Sequence, residues 1–78
     1  MLFVKARDAF EANGAKVGFD NSDVNNPVLS VEKYNIKVEL PINKSIAYVN
    51  GEAVKLDGVV VFNGISVYVP QSAVDLIK

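Results

Sequence analysis

A chain of 78 residues, half of them hydrophobic, can enclose one compact core but not two. Eight Lys and Arg against nine Asp and Glu leave a formal charge of −1, so there is no basic field to gather nucleic acid and no acidic tail. Neither cysteine nor histidine occurs, which removes disulfides, thiolate zinc sites, Cys and His nucleophiles and the usual His general base. No apolar run reaches the roughly 20 residues of a membrane span, and residues 1–78 read as a single domain.

Phe3 to Asn13 reads as a short helix, with Phe3, Ala6 and Phe10 recurring as a narrow apolar stripe. Arg7 and Glu11 stand at i and i+4 on another face. Gly14 follows where helices commonly end in a left-handed residue. From Ala15 the period falls to two: Val17 and Phe19 share one face of a short strand. Asp20 to Pro27 is a polar turn segment whose Asx side chains can bond their own backbone, and Val28 to Val31 is a second strand. In Ile36 to Leu40 the residues Ile36, Val38 and Leu40 point inward and Lys37 and Glu39 outward. Pro41, with no N–H to donate, is expected to interrupt that ladder.

Two Asn-Gly pairs, Asn50-Gly51 and Asn63-Gly64, lie between strand-like flanks. Both residue types tolerate the positive φ of a type I′ turn, so the pattern predicts two hairpins in an antiparallel meander. Val59-Val60-Val61-Phe62 does not alternate and is expected to be a strand covered on both sides. Pro70 fixes φ where a helix can begin, and Gln71 to Lys78 would face inward through Val74 and Ile77. A helix that short must be held by packing. The pattern apolar-Asn-Gly-x-small-Val occurs twice, and Phe3-Val4 entering a helix mirrors Tyr68-Val69-Pro70 entering another. The chain thus reads as cut from a longer strand–helix–strand series whose opening helix lacks the hairpin preceding its counterpart. No signal peptide is visible.

These elements predict an α+β fold: a small, twisted, mostly antiparallel sheet of about five to seven strands curled around one or two short helices. The expected core is Phe3, Ala6, Phe10, Val17, Phe19, Val38, Leu40, Val49, Val54, Val61, Val67, Val69 and Val74.

Gly14-Ala15-Lys16-Val17-Gly18-Phe19-Asp20, the hairpin from Ala47 through Asn50-Gly51 to Val54-Lys55-Leu56-Asp57, and Val61-Phe62-Asn63-Gly64 with Tyr68-Val69-Pro70 resemble the copper amine oxidase N-terminal-like domain, the stalk domain of bacterial surface proteins. The resemblance spans nearly the whole chain. Departures fall at the helices: Lys5-Ala6-Arg7 and Pro70-Gln71-Ser72 stand where that family favours Pro, Leu and Arg, and Asn13 where Leu is usual. The resemblance implies a non-catalytic, secreted or cell-surface module, extracellular in location and often beside wall-acting enzymes in Gram-positive bacteria. It implies neither copper binding nor oxidase activity.

The residues themselves offer little chemistry. Copper favours imidazole, which is absent, and Tyr34 sits between Lys33 and Asn35 rather than in the Asn-Tyr-acid setting of the oxidase cofactor. Asp20 to Asn26 supplies oxygen atoms, but Val24 breaks the alternate spacing of a calcium loop. Asp8 and Glu11 read as a solvated helix face beside Arg7. The serines have no His partner, and each glycine is isolated, so neither a nucleophile nor a phosphate loop is assigned.

No catalytic, cofactor-binding or metal residue is therefore named. The candidate interaction residues are Tyr48, Tyr68 and Tyr34, whose rings could stack on sugars or a partner surface. Gly14, Asn50, Gly51, Asn63 and Gly64 are candidate structural turns. The function expected is a non-enzymatic structural or interaction module for spacing, self-association or anchoring. The alternative is binding of cell-wall glycan or peptide, and the third reading is a hydrolase fragment whose active site lies outside this sequence. The expected partners are the chain itself, other domains of its parent or the cell wall, without nucleic acid and without a membrane span.

Overall fold

The computed structural model describes residues 3–20, 22 and 25–77. Strand β1 (Phe3–Lys5) passes directly into helix α1 (Ala6–Ala12). Strands β2 (Lys16–Asp20), β3 (Val28–Lys33), β4 (Ile36–Pro41), β5 (Ile46–Val49) and β6 (Glu52–Lys55) then form a five-stranded antiparallel sheet in chain order. Strands β7 (Val61–Phe62) and β8 (Val67–Pro70) join β1 in a three-stranded antiparallel sheet ordered β1-β8-β7. Helix α2 (Gln71–Val74) and a 3-10 turn (Asp75–Ile77) follow. The α+β class and the antiparallel pairing agree with the sequence pattern. The single meander does not, because β6 and β7 belong to different sheets.

Backbone bonding explains the split. Beyond β6, the Leu56 N–H donates to the Ser45 carbonyl at 2.8 Å, and the Val60 N–H to the Lys44 carbonyl at 2.9 Å. The Val60 carbonyl accepts from the Asn43 N–H at 2.7 Å. Leu56 and Val60 are both buried, so the connection is fastened against residues 43–45 and leaves the ladder. Residues Val59 to Phe62 are accordingly no doubly covered strand. Val60 points inward, whereas Val59, Val61 and Phe62 are exposed, one register away from the Val61 expected in the core.

The opening segment is also corrected, since Phe3 to Lys5 is strand rather than helix. Val4 faces Val69 across β1 and β8, a β-branched pair that suits a pleated surface. The partner strand lies at the far end of the sequence, and helical spacing cannot register it. Phe3 is consequently exposed. The strand–helix repeat is nevertheless real: β1 into α1 and β8 into α2 run antiparallel side by side, and the two helices touch. At the other correction, Pro41 does not break the ladder but ends β4 opposite Val28. Lys78 lies outside the described residues.

Helix α1 ends in a Schellman motif. The Ala15 N–H donates to the Phe10 carbonyl and the Gly14 N–H to the Glu11 carbonyl, both at 3.0 Å, and Gly14 has φ +82°. Asn13 contributes a further bond from Nδ2 to the Ala9 carbonyl at 2.8 Å. Its amide thus occupies an orphan carbonyl of the last turn.

The two Asn-Gly pairs work by different means. Asn50 and Gly51 have φ +51° and +88°, the left-handed pair of a tight hairpin joining β5 and β6. The Asn50 N–H donates to the Lys37 carbonyl at 2.7 Å, and Asn50 Oδ1 accepts from the Lys37 N–H at 2.9 Å, which prolongs the β4–β5 ladder. At the second pair only Gly64 has positive φ, +94°. Phe62 pairs with Val67, so the connection is a longer loop rather than the expected two-residue turn. Asn63 Oδ1 organises it, accepting from the N–H groups of Ile65 and Ser66 at 2.9 and 2.8 Å. Asn63→Ala should lower stability by about 1 kcal/mol, because two N–H groups lose their acceptor. A thermal melt should show a fall of about 5 °C for a chain of this size.

Phe10 and Ala6 of α1 join Leu29, Val31, Val38, Leu40, Ala47, Leu56, Val60, Val69, Ala73, Val74 and Ile77 in one buried cluster. Val17, Val49 and Val67 only partly enter it, and Val54 is likewise half-buried. Phe19, expected inside, is exposed. Helix α1 contacts both β2 and β8, so it connects the two sheets.

Candidate interaction surface

Phe19 stands on β2 opposite Leu29 of β3, and Phe62 on β7 opposite Val67 of β8. The two rings meet between the sheets, with centroids 5.1 Å apart and planes tilted by 39°, within the range favourable for aromatic pairs. Below them lies an open groove of about 360 Å³, walled by Val17, Leu29 and Val67 together with the two rings. Ile65, on the loop after β7, is 90% exposed at its margin. Phe19, Phe62 and Ile65 thus leave apolar surface open to solvent here, over the buried Leu29.

Charged groups frame this surface. Lys5, Arg7 and Asp8 line the groove. Arg7 Nη1 lies 3.4 Å from Glu11 Oε2, an exposed i,i+4 pair worth a few tenths of a kcal/mol. Asp8 and Glu11 are thus a solvated face, with Glu11 committed to Arg7. Among the described residues no set of three or more acidic, His or Cys side chains could hold a metal, and the whole chain lacks imidazole and thiolate. The donor set does not suit copper.

Asp20 ends β2 with its Oδ1 accepting from the Ser22 N–H at 3.0 Å and the Ser22 hydroxyl at 2.8 Å. The backbone bond first, and the hydroxyl bond second, hold its carboxyl below the ordinary value of 3.8. A depressed native pKa stabilises the fold above the unfolded value, and the contribution disappears as pH falls below 3.8 through the native value. Ser22→Ala should move the Asp20 titration, followed by carboxyl NMR shifts, upward toward that ordinary value. Asn21, Asp23 and Val24 of the same polar turn lie outside the described residues.

The three tyrosines occupy three elements. Tyr34 is 91% exposed in the turn between β3 and β4, with φ +54° and Lys33 Nζ 5.8 Å from its ring centroid. Tyr48 lies exposed on β5 opposite Glu39 and Ala53. Tyr68 is half-buried on β8 between Lys5 and Val61. The groove draws instead on Phe19, Phe62 and Ile65, which sequence reasoning either placed inside or passed over.

Comparison with protein-family models matches residues 1–76 to the copper amine oxidase N-terminal domain. The chain belongs to that family. The copper amine oxidase N-terminal domain is an accessory, non-catalytic one, and the present member combines that framework with an exposed apolar groove. Comparisons with curated proteins and with solved structures returned no match. Among the described residues no helix is long and apolar enough to cross a membrane.

Proposed function

We propose that this copper amine oxidase N-terminal domain is a non-catalytic contact module of a secreted or cell-surface bacterial protein. It spaces, associates or anchors its parent through its surface. The observation that carries this reading is the conjunction of family membership over residues 1–76 with an open apolar groove between the sheets. Exposed apolar area of this kind favours a protein partner, since burial there is the main source of association energy.

A second reading, binding of wall glycan or peptide, is supported by the exposed ring of Tyr48 on β5, a shape on which a sugar can stack. Tyr68 and Tyr34 would extend that reading to the second sheet and the β3–β4 turn. Sedimentation of the purified chain with isolated cell wall separates the two. Contact with protein surfaces predicts that the chain stays in the supernatant. Saturable depletion abolished by Tyr48→Ala would favour glycan or peptide binding and contradict the first reading.

A further inference from the structure

We infer that Asn63-Gly64 is a site of spontaneous covalent modification, at which Asn63 loses ammonia through attack by the Gly64 backbone nitrogen. The inference goes beyond the contact-module reading and does not depend on it. The sequence carries three Asn-Gly pairs, Asn13-Gly14, Asn50-Gly51 and Asn63-Gly64. Glycine has no side chain to shield its nitrogen, so the three pairs are chemically alike in an unfolded chain. The fold separates them.

Asn13 turns backward onto α1, where its Nδ2 donates to the Ala9 carbonyl at 2.8 Å. The Gly14 N–H is itself committed to the Glu11 carbonyl at 3.0 Å. Asn50 turns sideways into β4, where its N–H and Oδ1 hold the Lys37 backbone at 2.7 and 2.9 Å. Asn63 turns forward. Its Oδ1 accepts from the N–H groups of Ile65 and Ser66 at 2.9 and 2.8 Å, so the side chain reaches along the chain past Gly64. The Gly64 N–H has no acceptor among the described residues, and Asn63, Gly64 and Ile65 are all exposed.

That geometry suits closure of a cyclic imide. The Gly64 nitrogen gives its proton to hydroxide and bonds to Asn63 Cγ, and both groups are held within one short loop. Negative charge develops on Oδ1, where two N–H groups already point, an arrangement that stabilises an oxyanion. The Cγ–Nδ2 bond then breaks, and ammonia leaves with a proton from solvent. Water opens the imide. Cleavage of its Cγ–N bond gives aspartate, and cleavage on the main-chain carbonyl side gives isoaspartate. Water enters and ammonia departs, with nothing oxidised or reduced. Either product places a carboxylate between Phe62 and Ile65, which line the groove. From Gly58 to Val74 the native chain carries no charged side chain, so the modification writes a charge onto an apolar surface.

Peptide mapping by mass spectrometry tests the site, on the folded chain and on the urea-unfolded chain in the same mildly alkaline buffer. Unfolded, the three pairs should react at comparable rates. Folded, Asn63 should react roughly tenfold or more faster than Asn13 or Asn50, each of which must first break the hydrogen bonds that hold its amide elsewhere. Asn63→Asp, whose carboxylate still accepts from both N–H groups, should remove most of the early ammonia release. Asn50→Asp should leave that release unchanged. Equal protection of all three pairs in the folded chain, faster loss at Asn13 or Asn50, or early ammonia release that survives Asn63→Asp would overturn the assignment.

Discussion

Phe10→Ala is expected to leave little folded protein at room temperature. Phe10 is fully buried on α1, the helix that contacts β2 of one sheet and β8 of the other. Its carbonyl also accepts the Ala15 N–H that closes the helix. Truncating a buried Phe costs about 3–5 kcal/mol, from lost transfer energy and the cavity left behind. A core in a chain this short supplies only about 3–5 kcal/mol of net stability. The substitution therefore consumes most of the margin. Circular dichroism should show a thermal midpoint lowered by at least about 15 °C, or no cooperative transition. A midpoint within about 5 °C of the native one would mean that α1 is not the link between the sheets.

Gly51→Val should have the next largest effect, about 2 kcal/mol, through the backbone alone. Gly51 has φ +88°, and a Cβ placed there would meet nothing within 4 Å. The cost thus arises from forcing a β-branched residue into the left-handed region, next to Asn50, whose φ is also positive. Gly18→Val supplies the contrast. Gly18 sits in β2 without positive φ and with open space around it, where a β-branched residue suits the strand. Denaturant titration should show the midpoint falling for Gly51→Val and unchanged or rising for Gly18→Val. Equal destabilisation of both would contradict assigning the cost to the positive φ of Gly51.

Local signals in the sequence translated faithfully. The Gly14 exit, the Asn50-Gly51 hairpin, the alternation of Ile36 to Leu40 and the inward Val74 and Ile77 all depend on residues within a few positions of one another. Each appears in the structure. What the pattern missed depends on distant partners. Phe3 to Lys5 has helical spacing, but β8 lies at the other end of the chain and recruits it as a strand. Val60 rather than Val61 turns inward because Asn43 and Lys44 capture its backbone. Asn63-Gly64 shares its dipeptide with Asn50-Gly51, yet its loop is shaped by the side-chain carbonyl rather than by two positive φ values. The groove was hidden for a related reason. Hydrophobicity says that Phe19 and Phe62 avoid water, not that they do so against each other at the mouth of a cleft.

The central proposal is that this domain acts by contact, in a chain that has neither Cys nor His. The direct test is release of soluble sugar or peptide from purified cell wall by the purified chain, followed against a heat-denatured sample of the same chain. Release indistinguishable from the denatured control is the predicted result. Sustained release that requires the folded chain, and is lost on Asp8→Asn or Glu11→Gln, would contradict it.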